Sequence, residues 1–593
     1  MSDKAMEWDL SQLVKIDDPD YIAERLTAGI KSVEEFREKY RGKITSFDAK
    51  QVLEMLEEEE QFTYEFEGPF MYSLLAYSAD MRNEVAKRLF DSVQRAAMQV
   101  NQLSAFVDLE LGELLTKLPE LIQDPILSEY KHKLEKIQRR IPYMLTEKEE
   151  QLAIIKDKNG IRAWYQLHGD WLATRTFDME IDGEKKTMPY GEIVGLYEHP
   201  DRDIRKRANE VVYEGLSKDG ILWASAVRSV CSDHILMTKL RNWDNPMTQS
   251  FVSNDVDEET IVALINTMDK NVGVLQKYLK LKAKAMGLDI LGNWDIEAPL
   301  PNAPTTKYSW EDARKLVVAA YSDFDEESGK WMDAMFEKRH IDGMVRDGKR
   351  SGAFCATWYN GKSAYILQSF NGIMGDLFTQ AHELGHALHA YLGTRSQRPS
   401  NYEIGSCIAE TGSIFGELLL AEKLLSQEGT KDEKQAILAT VLDGFAGAGF
   451  QVHARVGFET AMYEAIEKGK LLDTELISKL WVKSRDAVYG DAVEWLDIMK
   501  YWWTMKLHFF MPNRRYYNYP YVYAQLFVYA MYRLYKEQGK DFVPKLKTLL
   551  GAGSSRSPRD LAAEIGFDVT TEAFWQKGID QFEEFINQFE ETL

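Results

Sequence analysis

The residues of this 593-residue chain whose types and spacing could do chemistry lie in Phe378-Thr-Gln-Ala-His-Glu-Leu-Gly-His-Ala-Leu-His389. Within that run, His382-Glu383-Leu384-Gly385-His386 has the form H-E-x-x-H. On an α-helix, positions i and i+4 lie one turn apart on the same face, so His382 and His386 can turn two imidazoles toward one metal ion. Glu383 follows the first histidine and can reach a water on that ion. This is the geometry of a zinc hydrolase, with Glu383 as general base. The rival explanation is an amphipathic helix whose histidines are merely satisfied polar groups. It requires the motif to arise by chance from only ten histidines. The flanks predict a helix: residues 375–392 contain no proline, and Gly393 stands where a C-terminal cap is expected.

A catalytic zinc ion takes three protein groups and keeps one position open. The metzincin spacing would place glycine at 389 and histidine at 392, but the chain has His389 and Leu392. His389 itself is about 10 Å from His382 along the helix axis at ~1.5 Å per residue, so a supporting role is expected for it. Glu410 is the leading candidate for the third ligand. It lies 28 residues after His382, on a helix predicted over about 404–426, with Glu403, Glu417 and Glu422 as competitors. Glu417 is nearly two turns further on, shares a face with Glu410, and could orient a ligand.

The elements that must position these residues are mainly helical. Asp18 and Pro19 read as N-cap and first position of a helix reaching about Tyr40. Ser46 reads as the N-cap of a helix through Glu60, with Glu57–Glu60 on its exposed face, and further helices are predicted at about 68–108 and 112–139. Phe177-Asp-Met-Glu-Ile181 followed by Asp182-Gly183 predicts a hairpin. A change of texture near residue 200 divides an N-terminal helical lobe, 1–200, from a catalytic domain, 201–593. Pro299, Pro301 and Pro304 mark a loop, and helix resumes over about 309–338. Residues 353–359 and 363–370 predict two strands around Asn360-Gly361, directly before the metal helix. An edge strand there could pair with an extended peptide through main-chain hydrogen bonds. The last part, 430–593, is helical except for His508-Phe-Phe-Met-Pro-Asn-Arg-Arg-Tyr-Tyr-Asn-Tyr-Pro-Tyr-Val-Tyr523, where five tyrosines in eight residues do not suit an ordinary helix. A phenol is a neutral donor at pH 7 and can stabilise an oxyanion, as can an imidazole.

Composition narrows the class. A hydrophobic fraction of 45% fits a packed globular protein, and no run of eighteen apolar residues offers a membrane span. Three cysteines, Cys231, Cys355 and Cys407, are too few for a disulfide framework and read as small buried residues. A net charge of −22 argues against a nucleic-acid partner. Met1-Ser-Asp-Lys-Ala-Met-Glu-Trp-Asp9 lacks an apolar signal core, so a cytoplasmic protein is expected.

Four blocks together resemble the oligoendopeptidase F family, the bacterial branch of the thimet-oligopeptidase-like zinc peptidases. They are Gly352-Ala-Phe-Cys355, Tyr365-Ile-Leu-Gln-Ser-Phe-Asn-Gly372, Ala381-His-Glu-Leu-Gly-His-Ala-Leu-His389 and Ala409-Glu-Thr-Gly-Ser413. Asp201-Arg-Asp-Ile-Arg-Lys-Arg-Ala208 has the same look. The resemblance implies one zinc ion per chain on His382, His386 and Glu410, with Glu383 as base. It implies that His508, Tyr517 and Tyr521 face the metal, with Tyr519 and Tyr523 as rivals and at least two of the tyrosines only packing. The fold it implies is two helical lobes enclosing a deep substrate channel, with a small β-sheet beside the zinc helix. The function it implies is cleavage of internal bonds in short peptides, and a monomer or homodimer is expected. The alternatives are a zinc exopeptidase, using Lys349, Arg350, Arg514 or Arg515 to hold a terminal carboxylate, and a non-catalytic helical peptide-binding protein.

Overall fold

The computed structural model describes residues 6–14 and 18–593; residues 1–5, on which part of the expected leaderless start rests, lie outside the described residues. The chain is mainly helical, and its contacts divide it into two units. One comprises Met1–Ile141, Thr305–Ser426 and Leu534–Phe567, the other Pro142–Pro304, Gln427–Arg533 and Asp568–Leu593. This grouping by contact is a different kind of division from a boundary in sequence texture at residue 200. Among the described residues, no helix is long and apolar enough to cross a membrane.

In the first unit, the helix Pro19–Tyr40 begins as expected, with the Asp18 carboxylate accepting the Asp20 N–H. The next helix departs from expectation. Its cap is Asp48 rather than Ser46, because Asp48 and Gln51 bond each other's backbone N–H groups at 2.9 and 3.0 Å, a reciprocal capping box. The helix runs Ala49–Ala79, past Glu60 and through Pro69. Glu60 is not on an exposed face. It is buried and accepts hydrogen bonds from Tyr130 at 3.0 Å and Arg398 at 3.1 Å, so the helix continues through a packed position. Helices Glu84–Ser104, Phe106–Lys117 and Lys131–Arg140 replace the two longer ones predicted. Phe36, Met55, Leu56, Leu111 and Leu114 form their shared core. A second cluster joins Trp8, Leu13, Met71 and Leu75 to Tyr365 and Leu367 of a three-stranded sheet.

That sheet has Ser363–Leu367 at its centre, parallel to Ile341–Asp342 and antiparallel to Phe354–Trp358. Phe354–Trp358 is therefore an edge strand. Trp358 pairs with Ser363, so the turn is four residues rather than two, and its left-handed residue is Lys362, φ +49°, not the Asn360-Gly361 pair. The Glu67 carboxylate holds this wider turn by accepting the N–H groups of Tyr359 and Asn360.

In the second unit the Asp182-Gly183 hairpin forms as expected. Thr176–Ile181 pairs with Glu184–Pro189, and Asp182 and Gly183 have φ of +54° and +81°. Asp201 caps the helix Arg202–Ser217. Arg202 and Arg205 on that helix both meet the fully buried Asp295 at 2.8 Å, which accounts structurally for the charged block 201–208.

His168 of this unit is completely buried, stacks on Phe510 at 4.1 Å between ring centroids, and bonds the Thr504 carbonyl through Nε2 at 2.7 Å. Burial pushes its pKa down to about 4 from an ordinary value of 6.5. In the window from about 6.5 down to 4 the unfolded chain therefore binds a proton that the folded chain refuses. Stability should be fully present above pH 6.5 and fall through that window, by up to about 3 kcal/mol from this one residue. Urea unfolding followed by tryptophan fluorescence at pH 7.5, 5.5 and 4.5 should show the decline, and His168→Phe should have a shallower one.

Candidate metal centre

The helix Met374–Ser396 carries His382, Glu383 and His386. It does not stop at Gly393, which has no left-handed φ. The last turn is instead completed from the neighbouring hairpin, where Lys362 donates to the Thr394 carbonyl and accepts at its own carbonyl from Arg395. The next helix is Thr411–Leu425, shorter than expected. Glu410 is thus not within a helix but at the cap position just before one, with φ −85° and ψ 5°.

Two glycines decide where Glu410 stands. A Cβ on Gly385 would lie 2.1 Å from the Gly412 carbonyl oxygen, and a Cβ on Gly412 would lie 2.3 Å from the Gly385 carbonyl oxygen. No side chain fits at either position without a backbone shift, so the two helices meet backbone to backbone. Glu410, two residues before Gly412, is thereby brought against the histidine face. Its Oε2 is 3.4 Å from His382 Nε2 and 3.3 Å from His386 Nε2. One ligand atom from each of the three residues lies within 4.8 Å of the others. Two groups bound at ~2.0–2.1 Å to a tetrahedral ion stand about 3.3–3.4 Å apart, so the spacing and the two-nitrogen, one-oxygen donor set fit zinc.

The surroundings fix the protonation of these groups. Glu417 accepts a hydrogen bond from His382 Nδ1 at 2.5 Å, which leaves Nε2 facing Glu410. Burial alone would lower the His382 pKa, but Glu417 outweighs it and the ring is raised to about 9. Burial likewise opposes ionisation of Glu410, yet His386, His382 and the Ser413 hydroxyl at 2.7 Å hold it down to about 2. Glu383 is 6% exposed, its Oε2 has no partner in the protein, and burial raises its pKa. Of the competitors, Glu403 is exposed and Glu422 pairs with Lys536. His389 is buried outside the group, and burial pushes it down to about 3. Burial, with Glu383 nearby, drives the Cys355 thiol well above its usual range, so it is no thiolate nucleophile.

The residues 508–523 belong to the second unit. Its irregular stretch ends earlier than expected, because Pro520 stands in the opening turn of the helix Tyr519–Gln538. His508, Tyr517 and Tyr521 do come together: the rings of His508 and Tyr521 are parallel at 6.2 Å, and Tyr517 is edge-on to both at 5.2 and 5.6 Å. The rivals pack instead. Tyr519 meets Ser250 and Asn254 through its hydroxyl, and Tyr523 lies against Trp575. Tyr516, at φ +54°, stacks on Tyr463 while its N–H reaches Glu459 at 2.9 Å. Arg515 is committed to Glu459 at 2.9 Å, and in the first unit Lys349 is committed to Asp342 at 2.6 Å.

Sequence reasoning missed the glycine contact, although its signal was present as a glycine inside each of the two motif blocks. It also missed Asn518, whose Oδ1 lies 3.0 Å from His508 Nδ1.

An H-E-x-x-H helix packed against a carboxylate-bearing helix cap, in a mainly helical chain, defines a metallopeptidase-like class. The sequence model of peptidase family M3 matches residues 196–581, and that of oligopeptidase F matches residues 116–177. The chain belongs to peptidase family M3. It is 26% identical over 568 residues to oligopeptidase PepF of Bacillus subtilis, covering 94% of this chain and 83% of that protein. It is 27% identical over 584 residues to an oligoendopeptidase F homolog of Borreliella burgdorferi, covering 97% and 96%. Among solved structures, a peptidase from Chlamydophila abortus superposes with a TM-score of 0.88 at 19% identity, covering 100% of this chain and 99% of that one. Oligoendopeptidase F from Enterococcus faecium gives 0.72 at 22% identity, covering 97% and 99%. These two likenesses show the shared fold.

Two outcomes follow for the metal centre. Glu410→Ala should purify with less than a tenth of the wild-type metal by elemental analysis, and full retention would transfer the ligand role to Glu417 or Glu403. Gly412→Ala keeps all three ligands but should weaken zinc binding at least ten-fold in a competitive chelator titration, because the added methyl forces the helices apart.

Proposed function

We propose that the chain is a zinc-dependent endopeptidase that hydrolyses internal bonds of short peptides, with one zinc ion per chain on His382, His386 and Glu410. The observation that carries this reading is the convergence of three ligand atoms within 4.8 Å of one another, with Glu410 at 3.4 and 3.3 Å from the two imidazoles, beside a buried carboxylate, Glu383, whose Oε2 has no hydrogen-bond partner among the described residues. Zinc held there supplies a Lewis acid for the scissile carbonyl and brings the pKa of a water down to near neutrality. Glu383 accepts the proton of the attacking water and passes it to the leaving amine. Its raised pKa suits a group that must hold that proton between the two steps.

Tyr517 and Tyr521 are proposed to donate hydrogen bonds to the developing oxyanion. His508 plays a different part. The Asn518 Oδ1 can only accept, so His508 Nδ1 must be the protonated nitrogen. Burial lowers the ring's pKa to about 4, which keeps it neutral, and its Nε2 is then an acceptor. It suits a peptide N–H or a tyrosine hydroxyl rather than an oxyanion. The edge strand Phe354–Trp358 offers unpaired backbone groups to an extended substrate. The restriction to short peptides, action in the cytoplasm, and a monomeric or homodimeric state belong to the same reading. The names of the relatives, oligopeptidase and oligoendopeptidase F, support the first of these. An exopeptidase is less well supported, since Lys349 and Arg515, two of the cations that could hold a terminal carboxylate, are consumed in internal ion pairs.

An internally quenched peptide blocked at both ends should be cleaved, cleavage should stop on adding a chelator, and zinc should restore it. Failure to cleave blocked peptides while free-ended ones are trimmed would establish an exopeptidase. Glu383→Gln should fold and retain zinc with kcat reduced at least about 100-fold; substantial residual activity would remove Glu383 from the base role.

A further inference from the structure

The second unit contains a cavity of about 350 Å³ that the proposed chemistry does not use. Its walls are aromatic, with Trp294, Trp481, Trp495 and Trp502 among them. Two cations, Arg455 and Lys506, also line it. Arg455 is only 8% exposed and its Nε has no hydrogen-bond partner in the protein. Among the described residues its side-chain hydrogen bond is to Gln451, a neutral amide in the π-helical turn Ala446–Gln451 directly before its helix, and its guanidinium lies 5.1 Å over the Trp502 ring. The indole N–H groups of Trp294, Trp481 and Trp495 also lack acceptors in the protein. Lys506 makes no ion pair among the described residues.

A buried guanidinium with no ion pair among the described residues, beside a second cation, is only partly compensated, Glu297 acting on both from a distance. Buried charges in proteins are otherwise paired, and buried donors are otherwise bonded. The same unit shows the ordinary solution nearby, where buried Arg515 is matched to buried Glu459 at 2.9 Å. Glu297, the carboxyl that lines the cavity, does not serve Arg455 in this way: it forms no ion pair among the described residues, and the enclosing protein raises its pKa toward the neutral form. Burial lowers Lys506 to about 8 and Arg455 to about 10, outweighing Glu297, which acts on both in the opposite direction. An acceptor-rich anion on an apolar body would complement the two cations and the aromatic walls.

We propose that this cavity is a subsite for a carboxylate of the peptide substrate, held by Arg455 and Lys506, with the apolar side chain next to it packed between the tryptophans. This deepens the endopeptidase reading and rests on it for the link to turnover. Arg455 lies within electrostatic reach of Tyr521 and of His508, so the subsite adjoins the cluster assigned to the oxyanion. A carboxylate anchored there would favour peptides that carry one, at the chain end or on an acidic residue. Recognition of a chain end would in turn supply a physical reason for preferring short peptides.

Binding and turnover separate the two readings. Equilibrium binding to the full-length protein is followed by intrinsic tryptophan fluorescence, using N-acetyl-Ala-Phe, its C-terminal amide, and N-acetyl-Glu-Phe amide. The free acid should bind at least ten-fold tighter than the Ala-Phe amide. Arg455→Met should erase that preference while leaving amide binding within two-fold, and Arg455→Lys should restore part of it. Lys506→Met, at a half-buried position, tests the site if Arg455→Met is unstable in a thermal melt. Tight binding of the Glu-Phe amide would assign the site to an acidic side chain, and weak binding would assign it to the chain terminus. Equal affinity for acid and amide in the wild type, or a preference unchanged in both variants, would overturn the proposal. Quenched peptides with free or amidated C-termini complete the comparison. Cleavage of both at equal kcat/KM would remove the subsite and keep the endopeptidase; acid-selective binding without cleavage would do the reverse.

Discussion

The candidate site depends on one close contact, the meeting of two helix backbones at Gly385 and Gly412. A metal ion accepts ligand distances within a few tenths of an ångström. Glu410 sits on a helix cap, not on the histidine helix, so its distance from His382 and His386 is set by how nearly the two helices approach. The approach is as near as backbones allow, with each glycine facing the other's carbonyl region. The same helix supplies Glu417 to His382 Nδ1, so its placement fixes the position of Glu410 and the orientation of His382, two of the proposed ligands, together. Gly416 extends the contact: a Cβ there would fall 2.0 Å from the Tyr321 hydroxyl, which itself bonds the Ala381 carbonyl at 2.7 Å. Small residues on one helix face thus do for this site what sequence motifs alone cannot, which is to hold a third ligand in register.

In the second unit a buried ion pair serves the comparable purpose. The stretch before the helix Tyr519–Gln538 has little regular structure, so its backbone needs partners from elsewhere. Arg515 bonds the Phe509 carbonyl at 2.9 Å and Glu459, and Glu459 in turn takes the Tyr516 N–H. Burying two charges is costly, and breaking such a pair by removing one partner typically costs about 3–5 kcal/mol. Here the pair satisfies backbone groups as well as itself, and it sets the course of the chain that carries His508, Tyr517 and Asn518.

The parts legible in sequence were those encoded by neighbours in the chain. H-E-x-x-H needs only helical periodicity, Asp182-Gly183 needs only its own left-handed torsions, and Asp18-Pro19 caps its own helix. The misplaced boundaries had both local and distant causes. Ser46 lost to Asp48 because Gln51 closes a capping box, a local signal that was present and overlooked. Gly393 did not end its helix because Lys362, thirty-one residues earlier, reaches the last turn. The Asn360-Gly361 turn widened because Glu67 holds its N–H groups. Among the tyrosines, residue type pointed to a cluster, but only packing separates Tyr517 and Tyr521 from Tyr516, Tyr519 and Tyr523.

The histidines show how environment, not identity, assigns a role. His168, His234 and His340 are buried without a carboxylate that outweighs the cost of burial, and each is pushed down to about 4. His382 is buried too, yet Glu417 carries it in the opposite direction. Glu383 is the converse case among carboxylates. Two of the buried acids are matched by cations, Asp295 by two arginines and Asp342 by Arg346 and Lys349. Glu383 is equally enclosed but keeps an oxygen with no protein partner, at a cost of about 1–3 kcal/mol or more for a group of its polarity. A chain that only bound peptides would gain from replacing it by an apolar residue of similar size. Its presence between two histidines supports the proposed reaction, which needs a carboxylate able to take up and release a proton.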